Sequence, residues 1–330
     1  MTKSLFTNVR AVMHREWKRM IERPIYLFSS VFVMIFSYVF FLTFFSEGLP
    51  KSMAVGVVDH DSSYVSRTFI RNIEADPQIG TVTHFSNYNE ARDAMQRGNI
   101  YAFFMVDKDF ERKLMSSQQP DFTYYVNDAY LVPGSLIYKE LTYIGKLGSA
   151  FVQKTMLEMR GTTDESTLMG LLQPISVDTH LLANPYTNYG VYLINMLLPG
   201  ILQMLILLMT VFSIGYELKM RTTPQWLQTA NGSFFAALTG KLLPYTLLFS
   251  LLGIIGNLVL YRYMHFPMNG SLVRLSFTTI VYVIAYQAIG IFCIGLLPVL
   301  REAIRLVAVY AILGVSYTGF TFPVEAMPYG

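Results

Sequence analysis

Cysteine is nearly absent from this chain: Cys293 is the single one among 330 residues. One thiol excludes an intramolecular disulfide and a cysteine-based metal site. Charge is scarce too. Asp, Glu, Lys and Arg make up 14% of the chain against 53% hydrophobic residues, with a mean hydropathy of +0.39. Those proportions exclude disorder and argue against a wholly soluble domain. The five histidines, His14, His60, His84, His180 and His265, fall in unrelated segments without ligand spacing. No Gly-x-x-x-x-Gly-Lys-[Ser/Thr] occurs, because Gly145-Lys146 and Gly240-Lys241 lack both the upstream glycine and the following hydroxyl. Neither His-Glu-x-x-His nor Gly-x-Ser-x-Gly is present, and no nucleophile–base pair is visible. Composition thus gives no basis for catalysis, a metal site or a nucleotide cofactor in this chain.

What is abundant is the uncharged run. Residues 24–46, 189–216, 242–261 and 275–300 each approach or exceed the roughly 20 apolar residues that cross a bilayer as a helix. A shorter fifth run covers 306–322 and carries Ser316, Tyr317, Thr318 and Gly319, polar groups that need partners in a bundle interior. The first run is too long for a signal peptide's apolar region and reads as an anchor. Leu198-Pro199-Gly200 interrupts the second; a proline there frees a carbonyl, producing either a kink that lines a cavity or static packing. Gly290 and Gly295 allow close helix contact in the fourth. Arg301, Glu302 and Arg305 read as a tight cytoplasmic return.

Residues 1–23 read as an amphipathic helix. Phe6, Val9, Met13, Trp17 and Met20 recur at helical spacing, with Arg10, His14, Arg15, Lys18 and Glu22 on the other faces. A basic excess suits a helix on the cytoplasmic leaflet, with Trp17 at the interface, and Pro24 ends it. The link between the second and third spans, 217–240, carries Glu217, Lys219 and Arg221, and Lys241 follows it, which places it on the cytoplasmic side.

Net charge is +3, but it is divided unevenly. Residues 47–188 sum to −5 and the rest of the chain to +8, as expected of an acidic exported domain on a membrane protein and not of a nucleic-acid binder. Within 47–188, strands 53–59, 81–85, 100–106 and 122–126 alternate with helices, and a long helix runs from about 133 to 160. That order predicts a small α/β domain inserted in an α-helical polytopic membrane protein. Asp59 and Asp61 on one turn are expected to be caps rather than metal ligands.

Several of these stretches together resemble the ABC type-2 transporter permeases. They are Glu217, Arg221-Thr222-Thr223, Trp226-Leu227, and Gly240-Lys241-Leu242-Leu243-Pro244. Glu16-Trp17 before Arg23-Pro24, the Asn184-Pro185 to Pro199-Gly200 spacing, and Pro323 with Met327-Pro328 at the end of the chain match the same pattern. Many relatives have Arg-Gly-Thr where this chain has Arg-Thr-Thr. The resemblance implies that 1–23 is a connecting helix carrying Glu16 and Trp17. It makes 217–240 a coupling helix that docks on a separate ATPase subunit. Trp226 and Leu227 would be its docking anchors, Glu217 and Arg221 would lie at the rim, and Thr222, Thr223, Gly240 and Lys241 belong to the same interface. It further implies a re-entrant hairpin at 320–330 and a sixth span after it, so that five spans are present here and one is missing.

ATP and Mg would then sit on the partner ATPase, with no cofactor in this chain. Two permease chains, as a homodimer or with a homologue, would join two ATPase subunits in a bacterial inner membrane. A periplasmic adaptor would meet the extracytoplasmic residues 47–188. The spans lack buried acids, which favours export of an amphipathic or lipophilic cargo: a drug, a peptide or a lipid. The competing expectation is a membrane-anchored extracytoplasmic binding or sensor protein, disfavoured by the lack of a large cytoplasmic output domain.

Overall fold

The computed structural model describes residues 5–116, 118, 120–159, 184, 188–320 and 326–327. The chain divides into two compact units, Met1–Gly48 with Leu181–Gly330, and Leu49–His180.

In the first unit proline sets the opening boundary. α1 (Leu5–Glu22) stops, and α2 (Pro24–Phe44) starts with proline in its first turn, where the missing N–H costs no helical bond. A wide π turn, Phe28–Phe32, lies early in α2. α7 (Tyr189–Lys219) begins where Asn188 accepts from the Val191 amide at 3.1 Å. Its 31 residues extend about 46 Å, well past a hydrocarbon core of about 30 Å, so it carries Glu217 beyond the apolar run. A short α8 (Thr223–Thr229) follows, then α9 (Phe234–Tyr263), α10 (Leu272–Leu296) and α11 (Leu300–Ser316).

Among the described residues, four helices are long and apolar enough to cross a membrane: α2, α7, α9 and α10. α7 is the hub, burying Leu202, Ile206 and Met209 against α2 and α9 on one side. On the other, Leu207, Val211 and Ile214 pack against Ile294 of α10 and Val307 of α11.

Two boundaries differ from the sequence expectation. α9 starts at Phe234, not 242, because Ser233 Oγ accepts the Ala236 amide at 3.3 Å and caps the helix there. Gly240 and Lys241 therefore lie inside a helix. α11 starts at Leu300, so Arg301, Glu302 and Arg305 form its first turns instead of a free return. Both arginines contact Glu302, at 3.2 and 3.1 Å, which stabilises that helical start.

The second unit is built on a four-stranded sheet in the order β2-β1-β3-β4. β1 (Met53–Asp59) lies parallel to β2 (Ile79–His84) and β3 (Ala102–Val106), while β4 (Phe122–Val126) is antiparallel to β3. β1 is central, and Val55, Val57 and Val58 are fully buried, the pattern of a strand covered on both faces. The connections are α3 (Tyr64–Glu74), α4 (Tyr88–Gln96) and α5 (Phe110–Met115). α6 (Leu131–Met159) follows the sheet, with Ile137 and Leu141 in the core.

Candidate functional site

Lys241 stands out in α9, since a buried ammonium in a helix of this hydropathy must find counter-charge. Here it is completely buried, as are Glu16 and Glu217. Glu16 of α1 reaches Lys241 Nζ at 2.7 Å through Oε2 and accepts the Tyr245 hydroxyl at 3.0 Å through Oε1. Glu217, in the last turn of α7, contacts the same Nζ at 3.1 Å. Arg15 joins Glu217 at 3.1 Å, and Arg19 bridges Glu217 and Glu16. The Thr222 hydroxyl, in the link to α8, also donates to Glu217.

Helix spacing explains why these groups converge. Arg15, Glu16 and Arg19 span one turn of α1, and Lys241 and Tyr245 lie one turn apart on α9. A carboxylate at a helix C-terminus is disfavoured by the helix dipole, so Glu217 requires the cations gathered around it. Burial opposes charge on Arg19, yet its hydrogen bond to Glu217 and the nearby Glu16 and Glu217 charges raise its pKa above the ordinary value. Two carboxylates face one ammonium and two guanidiniums, leaving a single excess positive charge. The cluster ties α1, the end of α7, the α7–α8 link and α9 into one body.

Trp226 closes one side. Its ring lies 5.2 Å from Lys241 Nζ, a cation–π distance, and its Nε1 donates to the Ala237 carbonyl at 3.1 Å. Val12, Ala230, Ala236 and Ala237 pack around it. Expected as an anchor inserted in a partner, Trp226 is instead 3% exposed and holds α8 onto α9 within the chain. Glu217, expected at a rim, is likewise interior, because Lys241 and the two arginines draw it in. Leu227, Thr222 and Thr223 are half-buried, whereas Arg221, Pro224, Gln225 and Gln228 are exposed. Gly240 serves a crossing: a Cβ there would stand 2.6 Å from the Val9 carbonyl oxygen, so glycine lets α1 lie directly on α9.

α1 also differs from its expected face. Its buried stripe is Asn8, Val12, Glu16 and Met20, while Phe6 and Trp17 are exposed, Trp17 by 46%. The helix packs on α9 as well as presenting an apolar side outward, and Glu16 is drawn in by Lys241 and Tyr245. Asn8 adds a bond to Asn231 at 2.5 Å, in the link between α8 and α9.

The remaining expected positions lie elsewhere. Pro199 sits inside α7, and its carbonyl accepts the Tyr282 hydroxyl at 2.9 Å; Gly200 packs against Val315. Met327 is half-buried, and Pro323 and Pro328 lie outside the described residues. Asp59 accepts the Asp61 and Ser62 amides, and Asp61 accepts those of Phe110 and Glu111, so both carboxylates are taken up by backbone. Among the described residues no group of three His, Cys, Asp or Glu could hold a metal ion.

Sequence reading passed over Arg15, Arg19, Tyr245 and Asn231. The available signal was Lys241 itself, a lone cation needing acids, with only five Asp or Glu outside 47–188 to choose from. No curated protein matches the chain, and no solved structure does. The model of the ABC-2 family transporter proteins matches residues 24–330, from the first span to the last residue. A bundle of apolar helices hubbed on α7, with that match over nearly its whole length, makes this multi-pass membrane chain a member of the ABC-2 family of transporter permeases.

Proposed function

We propose that this chain is the permease subunit of an ATP-driven exporter. A separate ABC ATPase subunit hydrolyses the nucleotide, and the permease moves an amphipathic or lipophilic molecule out across the bacterial cytoplasmic membrane. Two permease chains, identical or homologous, form the conduit. Residues 47–188 are its extracytoplasmic α/β domain, and a periplasmic adaptor is their natural partner. α11 (Leu300–Ser316) is a further membrane-embedded helix of the bundle.

The observation that carries this reading is the buried ion cluster. Apolar packing would hold α1, α7 and α9 together at least as well as five charges, because desolvating ions offsets most of their attraction. What charges add is a rigid, directional joint between helices. The exposed face of α8, with Gln225 and Gln228, and Arg221 in the turn just before it lie beside that joint and are the surface offered to the ATPase. A push on α8 is therefore passed through Thr222 and Glu217 to α7, and through Lys241 and Glu16 to α9 and α1. The ATPase shifts the spans because its contacts with α8 differ between its open and closed states.

Co-expression with candidate ABC ATPases, followed by ATP hydrolysis in lipid nanodiscs, tests the reading. We expect one ATPase to co-purify and its hydrolysis to respond to substrate. Arg221→Glu should cut co-purification about tenfold, about 1.4 kcal/mol, while the chain still inserts. Retention of the ATPase at wild-type level by Arg221→Glu and Gln225→Arg together would exclude α8 as the docking surface.

A further inference from the structure

Hydroxyl groups in the spans mostly satisfy themselves. Ser30, Ser37, Ser213, Thr246, Ser276 and Thr279 each donate to a carbonyl three or four residues earlier in their own helix. Thr210 of α7 does not. It is fully buried, and its Oγ1 has no partner among the described residues. Seven residues earlier, on the same face, Gln203 is 2% exposed and its Nε2 has no partner either.

Both groups lie in one seam. A Cβ on Gly314 of α11 would stand 2.7 Å from Gln203 Nε2, and a Cβ on Gly290 of α10 would stand 2.9 Å from Thr210 Cγ2. The two glycines are the notches in which these side chains sit. Elsewhere in the bundle the Tyr26 hydroxyl and Ser250 Oγ are also without a partner among the described residues, but each is alone on its helix, and several other polar groups pair across helices. Between α9 and α10, Thr246 meets Gln287 at 2.7 Å and Asn257 meets Thr279 at 3.0 Å. Between α7 and α9, Asn195 accepts from Tyr261 at 3.0 Å.

An orphaned polar group inside a membrane bundle costs free energy that a Leu or Val of the same shape would not incur. Two of them on one helix face, each closed over by a glycine, mark a contact that is satisfied only when it opens. We propose that the seam of α7 against α10 and α11 parts during the transport cycle, and that Gln203 and Thr210 then line the substrate path. α7 carries no charged side chain from Asn195 to Ser213. The path therefore offers hydrogen bonds to neutral oxygen groups, such as carbonyl, ester, ether or hydroxyl, and no counter-charge for an ion. The cargo class follows: an amphiphile whose polar part is neutral. The proposal rests on the exporter reading for the cycle that opens the seam.

Two measurements decide it, made on the full chain with Cys293→Ala as background. In nanodiscs with the ATPase, Gln203→Cys should react with a neutral maleimide at least tenfold faster during ATP turnover than without nucleotide. Gln287→Cys, in the paired α9–α10 contact, should not accelerate. The acceleration should be smaller with a cationic thiosulfonate, each rate being scaled to that reagent's rate with free cysteine. An unreactive Gln203→Cys in a complex that turns over overturns the moving seam, and an equal or larger acceleration with the cationic reagent overturns the cargo class.

The second measurement needs no ATPase. Gln203→Leu with Thr210→Val should raise the melting midpoint of the purified chain by about 2 °C or more, and an unchanged or lower midpoint overturns the proposal. A chain that pairs with no ATPase defeats the exporter reading instead, and the midpoint still decides the seam.

Discussion

Lys241 is held by residues from three elements, and its removal leaves two buried carboxylates with only Arg15 and Arg19 as their cations. Lys241→Met deprives Glu16 of its 2.7 Å partner and Glu217 of its 3.1 Å partner. Losing one member of a buried pair destabilises by about 3–5 kcal/mol when its partner is left uncompensated; with both arginines still in place we expect a smaller loss of about 1–3 kcal/mol in thermal unfolding of the purified chain. Adding Glu16→Gln should return part of it, since the carboxylate left with only its 3.5 Å Arg19 contact disappears while its amide can still meet Tyr245. A double-mutant cycle should show a coupling of about 1 kcal/mol or more, and additivity would mean that the two side chains do not act as a pair. Half of this was legible: Lys241 among apolar neighbours announces a partner. Glu16 did not announce itself, because it lies 225 residues earlier and no periodicity links positions so far apart. Trp226 misled for a related reason. An amphipathic aromatic in a loop looks the same whether its indole enters another protein or, as here, donates to Ala237 eleven residues on.

Several helices of this chain start where a side-chain cap stands and not where hydropathy alone would begin them. The Ser233 cap moves the start of α9 back into what reads as loop, and so changes Gly240 from a loop residue into a crossing point. Gly240→Val should disrupt the seating of α1 on α9, because the new side chain meets the Val9 backbone and the Val12 side chain. Protease sensitivity of residues 5–22 in otherwise folded protein would rise; unaltered protection would show that the crossing tolerates a side chain. α5 makes the same point in the other unit. Its own N-cap position, Asp109, is in a left-handed conformation and gives no side-chain cap. Asp61, from the β1–α3 turn, accepts the Phe110 and Glu111 amides at 3.1 Å instead.

Burial works to raise the Asp61 pKa, but hydrogen bonds from Ser63 and from the Glu111, Phe110 and Asp109 amides hold it below the ordinary carboxylate value. A depressed folded pKa means that the stabilisation is fully present above the unfolded value of about 3.9 and is lost as pH falls through the folded one. Amide exchange in α5 should accelerate over that acid window. In Asp61→Ala it should be faster at neutral pH and insensitive to the window. The strand and helix order of this unit was readable because β1 is a continuous apolar run and Ser63 and Asn87 are ordinary caps. The remote cap was not, since sequence shows neither which turn faces α5 nor that Asp109 is turned away.

For the whole molecule, charge and hydropathy divide along the same line. Residues 47–188 are acidic and the remainder basic, and the four long apolar helices all belong to the basic part. A membrane that keeps positive segments inside should sort the two accordingly. With Cys293→Ala as background, cysteine at exposed Glu74 should react with an impermeant maleimide added to spheroplasts, and cysteine at exposed Gln228 only after the membrane is opened. The reverse pattern would invert the topology and remove α8 from reach of any cytoplasmic ATPase. The family was legible from its scattered short motifs because those mark turns and helix crossings, where backbone geometry narrows the choice of residue. The polar seam was not, because Gln203 and Thr210 look like any mid-span polar residues until their lack of partners is seen.

The Tyr189 amide donates to the Gly48 carbonyl at 2.9 Å, and a side chain on Gly48 would collide with Asn188. The chain thus departs for the second unit and returns from it at neighbouring points, joined like the two sides of a buttonhole. A few flexible residues would suffice to bridge them, so excising the stretch between should leave α1, α2 and α7 to α11 able to insert. Its helical content and ATPase binding can be compared with the parent.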